Sequence, residues 1–244
     1  MVENSFKWIC FDVGDTLIDN LNFGVEHLDK HVIHEILSRY GFNGTNEEAK
    51  SALKEAREFQ RRELHGNYLR FSRGYVFPRI SKILNLNVSQ QDCVEMERMM
   101  YEKKFAVIMQ IDGAFEILSF LKSKGFHLAL ISNAGEEFFF QELDAAGIDR
   151  KLFDVIIISG EVKGEKSTLI PFKVFLEKIK KFGKFKPEEC LMIGDREDED
   201  SYAKKLGMKT CLLKRYNRKK FDGIEYLPAD FEISSLLELK KIVA

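Results

Sequence analysis

Four short stretches of the chain place chemically capable side chains at the ends of apolar runs. Asp12-Val13-Gly14-Asp15-Thr16 closes the run Trp8–Val13, and Ser132-Asn133-Ala134-Gly135 closes His127–Ser132. Asp154–Ser159 leads through Ser159-Gly160 to Lys163-Gly164-Glu165-Lys166, and Cys190–Gly194 leads into Asp195-Arg196-Glu197-Asp198-Glu199-Asp200. If each run is a strand of one parallel sheet, the four ends meet at its carboxyl edge, where open α/β sheets bind ligands. Carboxylates, a hydroxyl and a lysine gathered there make a charged active site centred on Asp12. A single aspartate after a strand can be merely a helix N-cap. Four polar strand ends at one edge argue against that reading.

The elements that would hold these groups are legible in the spacing of apolar residues. The runs are brief and lack strict alternation, as expected of strands covered by helices on both faces; Thr210–Leu213 reads as a fifth. Helical patterns separate them: Ala114–Lys124 ending at Gly125, Phe138–Ala146 at Gly147, Pro171–Lys181 near Gly183 and Asp200–Leu206 at Gly207. Glycine after the last helical turn is a C-cap signal. This alternation predicts an α/β fold with a doubly wound, Rossmann-like parallel sheet.

From about Asn20 to Met109 no strand is evident. Helical patterns at Val25–Tyr40, Glu47–Leu64, Arg73–Leu84 and Gln90–Phe105 are punctuated by Gly41, Gly44 and Gly66. The expected organisation is therefore a core of residues 1–19 and 110–244 with an all-helical domain, 20–109, inserted after the first strand. Within the insert, Arg57, Arg61, Arg62, Arg70, Arg73 and Arg79 are suited to phosphate or carboxylate, with the stretch Asn67–Phe77 the favoured place for a cleft-facing arginine. A solvated helix face shared with Glu55, Glu58 and Glu63 is the plainer reading. His27, His31 and His34 share helical spacing, but no further residue completes a metal site, so surface or interface histidines are expected.

Lys+Arg number 38 against 39 Asp+Glu, giving a net charge of −1 and no electrostatic case for nucleic-acid or membrane partners. The basic run Lys214–Lys220 reads as a solvated loop. Cys10, Cys93, Cys190 and Cys211 form no paired motif and read as free thiols, at least three of them buried. Met1-Val2-Glu3-Asn4 lacks the basic start and apolar run of a signal peptide, and no stretch is apolar enough to span a bilayer, so a reduced cytoplasmic setting is the expectation.

The four polar segments, in order, resemble the motifs of the haloacid dehalogenase (HAD) superfamily of hydrolases. Phe11-Asp12-Val13-Gly14-Asp15-Thr16-Leu17 resembles the first motif and Leu130-Ile131-Ser132-Asn133-Ala134 the second. Lys166 stands at the lysine of the third, with Ser167 where proline is usual, and Met192-Ile193-Gly194-Asp195 with Asp200 is similar to the fourth. The helical insert is similar to the cap of the subfamily that carries it between the first two motifs. The resemblance implies a Mg²⁺-dependent phosphatase acting on a small phosphorylated metabolite. Asp12 would attack phosphorus and form an aspartyl-phosphate. Asp12, Asp195 and the Gly14 carbonyl would hold Mg²⁺, a hard cation that prefers oxygen ligands. Ser132 and the amides around Asn133 would contact the phosphoryl group, and Lys166 would stabilise charge on it. Asp200 would orient Lys166 or a metal-bound water.

One position departs from the pattern. Most HAD phosphatases carry a second aspartate two residues after the nucleophile, as acid and base for the leaving alcohol and the attacking water; here it is Gly14. General acid–base catalysis is typically worth ~10²–10⁴-fold. Asp15 could replace the missing acid or could simply stabilise the turn. Three readings stay open: a phosphatase favouring aryl phosphates, acyl phosphates or anhydrides; a metal-independent 2-haloacid dehalogenase, against which Asp195 speaks; and a non-catalytic HAD-like binding or regulatory protein.

Overall fold

The computed structural model describes residues 6–20, 32–63, 65–68, 76–215 and 220–243. Its strands are Trp8–Phe11 (β1), His127–Ser132 (β2), Val155–Ile158 (β3), Cys190–Gly194 (β4), Lys209–Leu213 (β5) and Phe231–Ile233 (β6). Its helices are residues 32–38 (α1), Asn46–Glu63 (α2), Val76–Ile83 (α3), Gln90–Phe105 (α4), Ala114–Ser123 (α5), Glu136–Ala145 (α6), Ser159–Val162 (α7), Ile170–Lys178 (α8) and Leu239–Val243 (α9). The strands form one parallel sheet in the order β3-β2-β1-β4-β5-β6. Phe11 pairs with Leu130 on one side and Ile193 on the other, so Asp12 leaves the sheet at its centre. Strand order reverses beside β1, which opens a crevice at the carboxyl edge.

Alternation within each strand builds the two layers. Ile9, Phe11, Leu128, Leu130, Leu191 and Ile193 pack in one cluster with Ile117 and Leu121 of α5, Phe139 and Leu143 of α6, and Leu239 of α9. Their strand neighbours Trp8, Cys10, Ala129, Ile131, Cys190 and Met192 face the other way, onto Phe172 and Phe175 of α8. Both faces are apolar because both are covered, the condition a central parallel sheet must satisfy. All four cysteines are free and buried.

Between β1 and α5 the described residues form no strand, only the isolated Gly14–Ile18 and Ile18–Gln110 bridges, and gather a third cluster: Ile33, Ile36 and Leu37 of α1, Ala52, Leu53 and Ala56 of α2, Phe77 and Ile80 of α3, Met96 of α4. Reciprocal caps start two of these helices. Thr45 N donates to Glu48 Oε2 at 2.7 Å and Glu48 N donates to Thr45 Oγ1 at 3.2 Å; Ser89 and Asp92 do the same for α4. His34 Nε2 lies 3.0 Å from the Gly44 carbonyl and its ring meets Phe42 edge-on, a structural histidine; His27 and His31 lie outside the described residues.

Several boundaries differ from the sequence expectation. Asp12 and Val13 are outside β1: strand pairing ends at Phe11, and the chain turns at Val13, whose carbonyl accepts the Leu17 and Ile18 amides. Asp200–Leu206 is a 3₁₀ helix, and the pattern Pro171–Lys181 is divided between α8 and a 3₁₀ turn, Ile179–Phe182. β6 was not expected; it is three residues long and only its last side chain is buried, so it carries almost no periodic signal.

Candidate active site

The ends of β1, β2 and β4 and the loop after β3 deliver side chains to one place. Asp12 N donates to Ile193 O at 2.8 Å, which fixes the first residue beyond β1 against β4. Lys166, 1% exposed, reaches across to donate to Asp12 Oδ1 and Asp200 Oδ1, both at 2.5 Å. The other Asp200 oxygen accepts the Arg196 amide at 3.1 Å, so both its oxygens are committed. Gly194 makes this close approach possible: a β-carbon there would overlap the Asp200 carboxylate and stand 2.6 Å from its Cβ. Asp12, Asp195 and Asp200 each present an oxygen within 4.8 Å of the others.

Charge explains the arrangement. Burial opposes the Lys166 ammonium, but Asp12 and Asp200 outweigh it and hold the amine protonated well above its ordinary range. Asp200 is pushed up to about 7, first by burial and then by the Asp12 charge, against the pull of Lys166. Three carboxylates face one ammonium. Carboxylate oxygens alone, without thiolate or imidazole, are the donor set of a hard divalent cation. These residues fit Mg²⁺.

The second strand end is a clamp. Ser132, 5% exposed, lines the cavity over Asp12. Asn133 spends both ends of its carboxamide on structure: Oδ1 accepts the Lys166 amide at 2.9 Å and Nδ2 donates to Glu199 Oε2 at 2.7 Å. The Ala134 amide beside it donates to Ser159 Oγ at 3.0 Å, which ties β2 to β3. Asn133 therefore positions the lysine loop and the acidic loop, a link that sequence reasoning did not find because its partners lie 33 and 66 residues away.

His65, Asp198 and Glu199 form another acidic group of metal-binding spacing. The Arg196 guanidinium pairs with both acids, 2.5 Å from Asp198 and 3.2 Å from Glu199. Those charges are matched by protein, and the cluster reads as the support of the Asp195–Asp200 loop.

A cavity of about 590 Å³ opens above Asp12, lined on the sheet side by Gly14, Ser132, Gly135 and Asp195 and on the helical side by Arg57, Arg61, Tyr68, Glu97, Tyr101 and Lys104. Arg57 and Arg61 thus meet the expectation of cleft-facing arginines, although they come from α2 rather than the Asn67–Phe77 stretch; Arg70 and Arg73 lie outside the described residues. Arg62 pairs with Glu63, and Arg79 stacks on Phe59 at 4.3 Å. The walls are joined by the Tyr101–Phe138 stack at 4.3 Å, Lys104–Glu142 at 2.6 Å and Gly66 N to the buried Glu165 carboxylate at 2.8 Å. Asp15 serves the turn: its φ is 58° and its Oδ1 accepts the Asn20 amide at 2.9 Å.

Comparison with known proteins agrees with this geometry. The model of the haloacid dehalogenase-like hydrolase family matches residues 6–207, and the chain belongs to that family. Among curated relatives, a glyceraldehyde 3-phosphate phosphatase of Pyrococcus furiosus is 28% identical over 97% of this chain and 92% of its own. A phosphoserine phosphatase of Methanocaldococcus jannaschii is 26% identical over 85% and 86%. Among solved structures, the HAD-hydrolase YfnB of Bacillus subtilis, described bound to magnesium, superposes with a TM-score of 0.71 at 22% identity over 98% of both chains. The chain is a HAD-family hydrolase with phosphatases as its relatives, and no helix among its described residues is long and apolar enough to cross a membrane.

Proposed function

We propose that the protein is a Mg²⁺-dependent phosphatase that cleaves a small phosphorylated molecule through an aspartyl-phosphate on Asp12. The observation that carries this is the Lys166 ammonium held between Asp12 and Asp200, with Asp195 within reach of the same cation, at the floor of a cavity. The magnesium bound by the YfnB structure and the phosphatase names of the relatives support it. Asp12 and Asp195, with the Gly14 carbonyl, would hold Mg²⁺, which supplies positive charge that lowers the repulsion between a carboxylate and a phosphate dianion. Lys166 aims Asp12 by donating to Oδ1, and places its own charge beside the phosphoryl group. Ser132 offers a hydroxyl to a phosphoryl oxygen. Asp200 and Asn133 position Lys166 and take no part in the bond changes.

In the same reading residues 20–109 are a cap on a core of 1–19 and 110–244. The Tyr101–Phe138 and Gly66–Glu165 contacts close it, and Arg57 and Arg61 face the part of the substrate away from phosphorus. Cap closure excludes water from the site. The test is hydrolysis of p-nitrophenyl phosphate with and without Mg²⁺. Turnover that needs Mg²⁺ and disappears in Asp12→Asn is the expected result. Metal-independent release of halide from a 2-haloacid, or turnover unchanged in Asp12→Asn, would overturn the proposal.

A further inference from the structure

Asn20 occupies the space that a side chain on residue 14 would fill. A β-carbon built on Gly14 would lie 2.8 Å from Asn20 Nδ2, closer than real β-carbons approach. Backbone contacts bring the two residues together. After Asp12 the chain turns through Asp15, and Ile18 returns to bridge with Gly14. Asp15 N donates to Ile18 O at 2.6 Å, and the Asp15 carboxylate takes the Asn20 amide. Beyond the turn, Ile18 pairs with Gln110, Asp19 N donates to Met109 O at 3.0 Å, and the Asp19 carboxylate meets Arg215 at 3.3 Å. The place of residue 20 is thus set by main chain and neighbours, not by its own side chain. Asn20 lines the cavity with Asp12 and Gly14, and among the described residues its buried Oδ1 meets no hydrogen-bond donor.

We infer that Asn20 is the leaving-group contact of this site, a hydrogen-bonding residue that cannot transfer a proton. The inference rests on the phosphatase reading. In the first step an Asp12 oxygen bonds to phosphorus and the bond from phosphorus to the leaving oxygen breaks, its electron pair remaining on that oxygen. Asn20 Nδ2 donates a hydrogen bond to the departing oxyanion, which leaves without a proton from the protein. In the second step water attacks the phosphorus of the aspartyl-phosphate and the bond to Asp12 breaks. Asn20 takes no proton from that water; one water proton moves to a phosphoryl oxygen, and dihydrogen phosphate departs. Such a site turns over phosphates whose leaving groups are stable as anions, acyl phosphates foremost, and is slow on alkyl esters.

The experiment is the dependence of kcat/KM on leaving-group basicity across a series of substituted phenyl phosphates, with Mg²⁺, for the wild type, Asn20→Asp and Asn20→Ala, alongside glycerol phosphate as the alkyl substrate. A carboxyl at position 20 can donate the proton, so Asn20→Asp is expected to flatten the dependence and to raise the alkyl-to-aryl ratio by about 10–100-fold, within the range of general acid catalysis. Asn20→Ala is expected to steepen the dependence and lower kcat about 10-fold with KM little changed. Because the Asp15 bond is to the residue 20 amide, both variants keep the turn, which unchanged melting temperatures would verify. Identical slopes in all three proteins overturn the role of Asn20 while leaving the phosphatase reading intact. No Mg²⁺-dependent turnover of any phenyl phosphate by the wild type overturns both.

Discussion

Lys166 holds two carboxylates with one ammonium at the centre of the fold, and Gly14 beside them carries no side chain at all. The first arrangement supports attack by Asp12; the second removes the group expected to manage protons. Replacing Gly14 by aspartate is the direct way to restore it, but the space is taken. The new Cβ would press on Asn20 Nδ2 at 2.8 Å, and its carboxylate could reach the leaving oxygen only if the Asn20 side chain swung away. Two residues that compete for one volume are coupled, so their effects are not additive. Gly14→Asp alone is expected to improve glycerol phosphate hydrolysis less than about 3-fold, and Gly14→Asp with Asn20→Ala by about 10-fold or more. A double-mutant cycle on kcat/KM checks this; equal gains with and without Asn20 would show that the two side chains do not share the space.

The strand ends were readable because each buried parallel strand is a short apolar run whose first polar residue marks its carboxyl end. Asp12, Ser132 and Asp195 were singled out that way, while Lys166 and Asp200, farther along their loops, were singled out through the motif resemblance. What the runs could not show is what the connecting loops do after the strand stops. The Asn133 clamp spans elements distant in sequence, Asn20 is returned to Gly14 by a turn through a non-glycine residue of positive φ, and the Asp200–Leu206 segment winds as 3₁₀ although its pattern suits an α-helix. Gly194 shows how tightly element and site are joined. It ends β4, and the Asp200 side chain lies directly against its Cα. Gly194→Ala should force Asp200 away from Lys166 and Arg196, destabilising the fold by about 1–3 kcal/mol through overpacking. Turnover should fall by about 100-fold, since the loop that aims Lys166 is displaced. Urea unfolding together with p-nitrophenyl phosphate kinetics measures both, and an active, fully stable alanine variant would contradict the packing described.

At the scale of the molecule, composition and strand–helix alternation were enough for the doubly wound core. The helical segment between β1 and α5 was legible as helices but not as a cavity wall, because which arginine faces inward depends on how α2 lies over the sheet. Core and helical segment meet over a floor rich in negative charge, which makes stability sensitive to pH and metal together. Asp200 has a folded pKa of about 7, above the unfolded value near ~4, so its protonated form is favoured by folding. Its contribution is full below about pH 4 and is lost as pH rises through about 7. Lys166, whose affinity for a proton folding also raises, acts in the same sense but only at far higher pH. The metal-free protein should therefore lose melting temperature from this cluster between about pH 5 and 8. A cation bound to Asp12 and Asp195 favours the ionised carboxylates, so Mg²⁺ should stabilise more at pH 8 than at pH 5. At Mg²⁺ of 100 times its Kd the gain is about 2.7 kcal/mol, or roughly 5–10 °C for a chain of this size. Thermal unfolding at both pH values, with Mg²⁺ or with chelator, measures the difference. Asp195→Asn should abolish most of the Mg²⁺ shift while leaving the metal-free decline, because the latter belongs to Asp200; loss of neither would place the cation elsewhere.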